Sequence, residues 1–481
     1  MASSPPSRGR DQSRTGERRG QRRWGRRILI TLVVLIGVGA VSWWAFKGPI
    51  TKAFVLGKLT ETLGARVDAS TVDLLSDGSL ELRDVVIRAP GLGGEPGEVL
   101  KAERVHVALE FGSDGPTPKR VQIDRPLIRL SIDRDGGSVN LAGLRLKKGD
   151  DGPRPLLLPE IEITEGRLEF GEHGPGGYAE LKSVPLVGEV TPMRDEQGYA
   201  LEVRTVSGES AAPSVPMRIV GSLRESGIEL RLDRVRLQEW VPSAVPTAYR
   251  ELIDSLDIHG DVSSVAFSAA MDGSQLQTEV SLQGVRMKLP IGDWLSTEGE
   301  PIDAAVRTGT LRLRDRGLQI ELDTVAAGVP MAIKVQYHGL TTDSPFEAVV
   351  QVRAYAMPKD PPWLEYMPEG VQWRIESFAN PTAVVDATIN AVRAQAGGDP
   401  SISGEATFRD GVAAFHAFPY EVRSLSGTVK FNSEELLLEG IRGVSAQGAR
   451  VQASGRIAPP GDGAAVALDI NVEDAPLDDA M

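Results

Sequence analysis

From about residue 66 onward, apolar and polar side chains alternate in short runs that are separated by turn residues. The run Ile128–Ile132 is one example, and Leu311–Arg314 and Leu318–Leu322 form another pair, joined by Asp315–Gly317 as in a hairpin. Because successive side chains of a strand point to opposite faces, this period of two predicts strands with one apolar face. We count on the order of 20 to 24 such runs, which predicts a mainly β chain.

The apolar faces of these strands have to be covered, and helices to cover them are scarce. Ile50–Leu63 and Val245–Leu256 have helical spacing, whereas residues 357–370 form a proline-rich connection. Two arrangements remain: two sheets that pack face to face, or one sheet that curls around its own apolar face. A curled sheet that is not filled leaves an apolar groove, which is stable in water only if it holds something apolar.

The N-terminal region has the pattern of a membrane anchor. Nine arginines within residues 1–27 precede an uncharged apolar segment, Ile28–Phe46. Such a segment makes a helix of roughly 28 Å, and the arginines favour the cytoplasmic side, so the chain after Lys47 lies across the membrane. A cleaved signal peptide is the alternative, but its apolar part is usually only about 7–15 residues long. The aromatic pair Trp43 and Trp44 also favours an uncleaved anchor.

Charge and composition exclude several classes of function. Nine arginines against Asp11 and Glu17 give residues 1–27 a charge of +7, which leaves −20 for the rest of a chain whose net charge is −13. An acidic body argues against nucleic acid, because phosphate binding needs clustered Lys and Arg. The chain has no cysteine, which excludes disulfides, thiol nucleophiles and cysteine-ligated metals.

Catalytic and metal-binding motifs are not found in the sequence. It contains no HExxH, GxSxG, GxGxxG or P-loop pattern, and its five histidines are scattered. Asp133, Asp135 and the Asp150–Asp151 pair lie near glycines, but turn chemistry explains them and their spacing does not fit an EF-hand loop. We therefore predict no enzymatic activity, no cofactor and no metal. A carbohydrate binder or extracytoplasmic enzyme would need aromatic clusters or paired carboxylates, and the four tryptophans after Lys47 are dispersed.

Two ordered sets of segments resemble a known family. The first set contains a helix that ends at Gly64, the runs Leu80–Ile87, Leu100–Val107 and Val121–Leu130 with Pro126 after Asp124, and the turn Asp135–Leu141. This order resembles the start of AsmA-like proteins, the group that includes TamB and YhdP. The second set, within residues 400–458, contains Ile402–Phe408, Leu425–Phe431, Leu436–Gly440 and Gly448–Ile457. It resembles the β-repeat found later in TamB- and YhdP-like chains.

The resemblance implies a location and a function. It implies a single-pass anchor in the inner membrane of a diderm bacterium, with the N-terminus cytoplasmic and the body periplasmic. It also implies a long curled antiparallel sheet whose apolar groove carries phospholipid or another acyl lipid between membranes, or otherwise supports outer-membrane biogenesis. Residues 471–477 look like the opening of another repeat. We therefore expect either a longer natural chain or an envelope protein partner that continues the groove at the C-terminal end.

The alternating pattern supplies candidate residues for the lipid-facing side of the groove. These are Leu80, Leu82, Ile128, Leu130, Ile132, Leu168, Phe170, Ile228, Leu230 and Leu232. The alternative is that they are core residues of a closed sandwich. In that case the protein is a β scaffold that binds no lipid and holds an envelope assembly partner.

These observations divide the chain into six segments. They are a disordered Arg-rich tail, 1–27; a transmembrane helix, 28–46; an amphipathic linker helix, 47–64; an AsmA-like β-groove, 65–240; a helix-interrupted middle β segment, 241–370; and a TamB/YhdP-like β-repeat, 371–481, incomplete at its C-terminus.

Overall fold

The computed structural model describes most of the chain after residue 51. The described residues are 52–57, 59–60, 64–112, 115–134, 139–141, 159–193, 198–206, 216–224, 226–270, 275–290, 301–314, 316–366, 372, 375–376, 379–415, 418–459 and 465–474. Within these ranges no helix has both the length and the apolar character needed to cross a membrane. The predicted tail, residues 1–27, and the predicted membrane helix, residues 28–46, lie outside the described residues.

The described part is mainly β and forms a single sheet of 23 strands, a number within the predicted range. The strands are β1 Arg66–Asp68, β2 Thr71–Leu74, β3 Leu80–Arg88, β4 Glu98–Gly112, β5 Gly115–Asp124, β6 Leu127–Asp133, β7 Glu160–Gly174, β8 Gly177–Pro192, β9 Gly198–Thr205, β10 Arg218–Arg224, β11 Gly227–Arg236, β12 Asp261–Ala270, β13 Gln277–Leu289, β14 Ile302–Arg314, β15 Gly317–Ala326, β16 Val329–Tyr337, β17 Phe346–Met357, β18 Thr382–Arg393, β19 Ser401–Phe415, β20 Phe418–Asn432, β21 Leu436–Ser445, β22 Arg450–Ala458 and β23 Ala465–Glu473.

Helical segments are few and short. Residues 52–57 and 59–60 are helical (α1), and Val55, Leu56 and Leu59 pack against the first strands, so α1 caps that end of the sheet. The others are α2 Gly94–Gly97, α3 Leu237–Ala244, α4 Thr247–Ser255 and a 3-10 helix, Pro362–Tyr366. The helix predicted over Val245–Leu256 is confirmed as α4. The preceding helix, α3, was not predicted.

Strands that follow each other in the chain are mostly neighbours in the sheet, and the pairing changes from antiparallel to parallel at one place, where β5 and β6 meet β7. Both β1 and β2 pair with β3, which pairs with β4. β5 and β6 lie end to end between β4 and β7. From β7 to β23 each strand pairs with the next in antiparallel fashion, and the predicted hairpin is present, with Arg314 opposite Gly317.

The pairing of β5 and β6 with β7 is parallel, which corrects the prediction of a purely antiparallel sheet. The physical reason is the length of the connection between β6 and β7. Parallel neighbours need a crossover of about a dozen residues or more, and residues 134–159 provide it.

The strand register brings the apolar side chains of the whole sheet onto one face. Directly opposite residues share a face. Leu230 is opposite Phe267, and Val280 is opposite Leu311. The same continuity extends to the last pair of strands, where Ala453 is opposite Ile470. The sheet therefore has one continuous apolar face from β1 to β23.

A row of left-handed backbone positions crosses the sheet at a similar level on many strands. Its members are Asp84, Arg125, Glu165, Arg234, Gly284, Ala354, Asp410, Ser424 and Gly440. Five of them lie within shifts of the strand register. A bulge bends its strand and increases the local twist. A row of bulges therefore bends neighbouring strands together, which favours a curved sheet.

Exchanging Ala354 for glycine should raise stability. Ala354 has φ of 47°, a conformation that costs alanine about 1–2 kcal/mol but not glycine. After subtracting the greater entropy of glycine in the unfolded chain, we expect Ala354→Gly to add about 0.5–1 kcal/mol to the free energy of unfolding. Ala356 is also exposed on β17 and extended, so Ala356→Gly should instead lower it by a similar amount. Urea denaturation measures the free energy of unfolding of both variants. If both are less stable than the wild type, Ala354 does not have the left-handed backbone of a bulge.

The core is divided between the first strands and the middle of the sheet. A small cluster joins α1 to β1–β5, and a large one extends from β7 to β18 and includes α3 and α4. Further along, the apolar face is open: β19 and β22 are half-buried on that face, and every residue of β23 is exposed. Among the described residues, helices thus cover the apolar face in the middle of the sheet but not in its C-terminal part.

Candidate functional site

Two helices inserted between β11 and β12 lie on the apolar face of the sheet. In α3, the Trp240 ring packs edge-on against Phe170 of β7, with the ring centroids 5.8 Å apart. In α4, Leu252 and Ile253 are buried in the main core. The pair therefore acts as a cover over strands that would otherwise present their apolar side to water.

A buried carboxylate fixes the start of α4. Residue 246, before the helix, is a proline with no side-chain donor or acceptor, and Glu172 of β7 takes over the capping role. Its carboxylate accepts hydrogen bonds from the Thr247 backbone N–H (2.9 Å) and hydroxyl (2.8 Å) and pairs with Arg134 at 2.9 Å. Burial alone raises the pKa of Glu172, but these bonds and the Arg134 charge outweigh it and hold the pKa below its usual value.

Lowering the pH should weaken the attachment of α4 to Glu172 of β7. Because the folded pKa of Glu172 is lowered, its contribution to stability is present above the pKa of the unfolded chain and is lost as the pH falls through the folded pKa. We expect amide hydrogen exchange in α4 to accelerate below about pH 4 relative to the intrinsic rate. In Glu172→Gln, amide hydrogen exchange in α4 should already be fast at neutral pH, and it should not accelerate further when the pH is lowered. An unchanged acid response in that variant would assign it to other carboxylates.

The other side of α4 contacts a distant part of the sheet. Glu251 accepts a hydrogen bond from the Thr342 hydroxyl at 2.7 Å, and Thr342 lies in the loop between β16 and β17. Thr247, only four residues earlier, is bound to β7. One short helix therefore contacts strand β7 and the loop that follows β16, and these two strands are nine positions apart in the order of the sheet.

An apolar cavity of about 590 Å³ lies between the sheet and these helices. Its wall comes mainly from β6–β8, β10–β14, α3 and α4, and most of the side chains are aliphatic or aromatic. The volume is within the range of about 300–1,000 Å³ that ligand pockets usually have. Among the described residues that line it, charge occurs only on Arg314 and Arg316, at the β14–β15 turn.

All ten residues predicted to face lipid lie on the continuous apolar face. Six of them line this cavity: Leu130, Ile132, Leu168, Phe170, Leu230 and Leu232. The cavity thus combines residues that are about 100 positions apart in the chain. Leu168 is itself buried, whereas Leu130 and Leu230 are half-exposed towards the cavity.

The other four predicted residues lie elsewhere on the same face. Leu80 and Leu82 belong to the small cluster around β1–β5, where Leu82 is buried. Ile128 packs against the large cluster without lining the cavity. Ile228 is half-exposed and opposite Leu223 and Ala269. Their role in lipid binding stays a prediction.

Most other residues of the cavity were missed at the level of sequence, and three of them matter below: Trp240, Tyr249 and Arg316. Trp240 was missed because α3 was not predicted, and Tyr249 was missed because the predicted helix over Val245–Leu256 was assigned no surface to pack against. The spacing of Leu237 and Trp240, three residues apart, is the signal that could have indicated a helix face. Arg316 was interpreted only as part of a turn, and nothing in the sequence places it at a cavity.

Behind the cavity, a buried polar group joins the parallel strands. Arg129 donates to the Glu169 carboxylate at 2.7 Å, and the Tyr178 hydroxyl donates to the same carboxylate. Burial and the bond to Glu169 raise the pKa of Tyr178 well above its usual range, which keeps the phenol protonated. Ser131 Oγ contacts His173 Nδ1 at 3.0 Å nearby. Arg129 and Glu169 alternate along β6 and β7 with the cavity residues Leu130, Leu168 and Phe170, so their side chains lie on the opposite face of the sheet, and we assign the group to holding the strand junction.

No cluster of three metal-ligating side chains is found within the described ranges. No protein-family model, curated protein or solved structure matches this chain. The resemblance to AsmA-like proteins therefore stays a prediction from sequence, and the cavity has to be interpreted on its own geometry.

Proposed function

We propose that this chain is an inner-membrane-anchored periplasmic protein that shields the acyl chains of phospholipid and conducts them between membranes, or otherwise supports outer-membrane biogenesis. The observation that carries the proposal is the cavity of about 590 Å³, which is apolar along its wall and lies on a face that continues to β23. Each buried CH₂ group contributes about 0.8 kcal/mol, so even part of an acyl chain would be held firmly.

The contacts of α4 support a sheet that curls around this ligand. Adjacent strands are about 4.8 Å apart, so β7 and β16 would be separated by roughly 43 Å in a flat sheet. The residues of α4 that contact β7 and the loop after β16, Thr247 and Glu251, differ by roughly 6 Å of helix rise. Only strong curvature brings both sides of the sheet to one short helix. The row of bulges supplies a physical cause for such curvature.

The C-terminal strands support transfer rather than storage. On β23 the apolar face is exposed along its length, at Val466, Leu468, Ile470 and Val472. A contiguous apolar surface of this kind is typical of a site that contacts lipid or a partner. We propose that lipid leaves the cavity along this face, and that an envelope protein pairs with β23 to continue it. Passive movement along such a face needs no nucleotide.

A closed β scaffold is the second candidate, and a specific observation favours it. In the middle of the sheet the apolar face is fully buried without any ligand: Leu318 is 0% exposed, and Ile320 and Ile333 are each 1% exposed. If the whole face behaves in this way, the protein holds an assembly partner and carries no lipid.

Site-specific photo-crosslinking in the full chain separates the two candidates. A photoreactive residue would replace Leu230 or Leu468 on the apolar face, with Arg231 and Asp469 as matched neighbours on the opposite face. After irradiation in cells labelled with radioactive phosphate, phospholipid adducts at positions 230 and 468 but not at 231 and 469 would support conduction. Protein adducts without lipid at all four positions would favour the scaffold.

A further inference from the structure

The charge at the mouth of the cavity differs from that of the protein as a whole. The chain has a net charge of −13, yet among the described residues that line the cavity the charged ones are Arg314 and Arg316. Arg316 has a left-handed backbone with φ of 62°. The turn between the paired residues Arg314 and Gly317 accounts for this conformation, because two-residue hairpin turns usually need a positive φ, and it leaves the Arg316 side chain exposed at the end of the hairpin.

A tyrosine side chain lines the same cavity as these arginines. Tyr249 of α4 lines the cavity and is 7% exposed, and no hydrogen bond to its hydroxyl is found among the described residues. Burial raises the pKa of Tyr249, and the nearby positive charge of Arg316 opposes this rise. Both residues line the same cavity, and the guanidinium and the phenol can each donate hydrogen bonds. The carboxylates of Glu172 and Glu251 on either side of α4 are already bonded to threonines.

We propose that the Arg316 guanidinium and the Tyr249 hydroxyl bind the negatively charged head of an acyl amphiphile whose chain lies in the cavity. This inference rests on the proposed function and narrows the ligand to amphiphiles that end in a phosphate or a carboxylate. A guanidinium donates paired hydrogen bonds to either oxyanion, and such bonds are strong where water is partly excluded. A neutral alcohol of equal length would fill the cavity and accept only uncharged hydrogen bonds, so the guanidinium charge would have no counter-charge from the ligand.

The test compares an acid and an alcohol that have the same chain. The full chain in nanodiscs is equilibrated with photoreactive palmitate or photoreactive hexadecanol, and adducts on cavity peptides are counted by mass spectrometry. A charge-assisted hydrogen bond predicts about tenfold more adducts from the acid in the wild type. A lysophosphatidate analogue tested in parallel tells a preference for phosphate from one for carboxylate.

Three variants assign the preference to the mouth of the cavity. Arg316→Gln should lower adducts from the acid about tenfold and leave those from the alcohol unchanged, and Tyr249→Phe should act in the same direction. Arg307→Gln is the control, because Arg307 lies on β14 outside the cavity and pairs with Asp323. Equal labelling by acid and alcohol, or an equal loss of both in Arg316→Gln, would reject the head-group site while leaving the proposed function intact. Absence of adducts from both probes would reject the two together.

Discussion

Leu230→Asp is expected to abolish lipid transfer along the sheet while leaving the protein folded. Leu230 is half-exposed, lines the cavity and lies on the face that continues to β23. An aspartate there places a charge among acyl chains, where an unpaired charge is strongly unfavourable. With a photoreactive residue at position 468, we expect phospholipid adducts to fall at least tenfold. Because the side chain already faces open space, the free energy of unfolding should change by less than about 2 kcal/mol.

The matched control for this variant is Leu318→Asp. Leu318 lies on the same face of the sheet, but it is 0% exposed and surrounded by core residues. A buried unpaired carboxylate should unfold the protein or lower its stability by several kcal/mol. If Leu230→Asp unfolds the chain as Leu318→Asp does, the face is a closed core throughout and the scaffold is the better description. If adducts at position 468 persist in a folded Leu230→Asp protein, lipid does not pass this residue.

Which face of each strand is apolar could be predicted from the sequence, because alternation has a local cause. Leu230 and Leu232 are two residues apart, so they must lie on the same side of β11 wherever that strand pairs. The strand register places Leu230 opposite Phe267 and Leu232 opposite Val265 of β12, so the apolar sides of neighbouring strands lie on the same face of the sheet. For the same reason, six of the ten residues chosen from their alternation line one cavity.

The features that shape the cavity could not be predicted, because they depend on non-local contacts. The parallel junction between β6 and β7 requires the chain to cross over between residues 134 and 159, and no short pattern encodes that direction. Bulges at residues such as Glu165 and Ala354 occur at non-glycine positions, so the usual glycine signal for a left-handed backbone is missing. The anchor of α4 joins Glu172 to Thr247 across 75 residues.

Breaking the buried ion pair behind the cavity should also cause a large loss of stability. Arg129 and Glu169 are each 6% exposed and are directly opposite each other on the parallel strands β6 and β7. The Arg129 guanidinium also lies over the Tyr178 ring at 4.6 Å and donates to the Glu95 carbonyl at 2.9 Å. Glu169→Ala leaves this buried charge with only a more distant carboxylate, that of Glu98 at 3.8 Å, which should cost about 3 kcal/mol of the free energy of unfolding.

An exposed pair and a double variant test whether burial is the cause of that loss. Arg218 and Glu202 form an ion pair of similar length, 2.9 Å, but both side chains are more than half exposed, so Glu202→Ala should cost less than about 1 kcal/mol. Replacing Arg129 and Glu169 together with methionine removes the uncompensated charge and should recover most of the stability lost in Glu169→Ala. Urea denaturation of the wild type and of these three variants measures the free energy of unfolding of each protein. A double variant as unstable as Glu169→Ala would mean that the shape of the side chains at the parallel junction, and not their charge, holds β6 against β7.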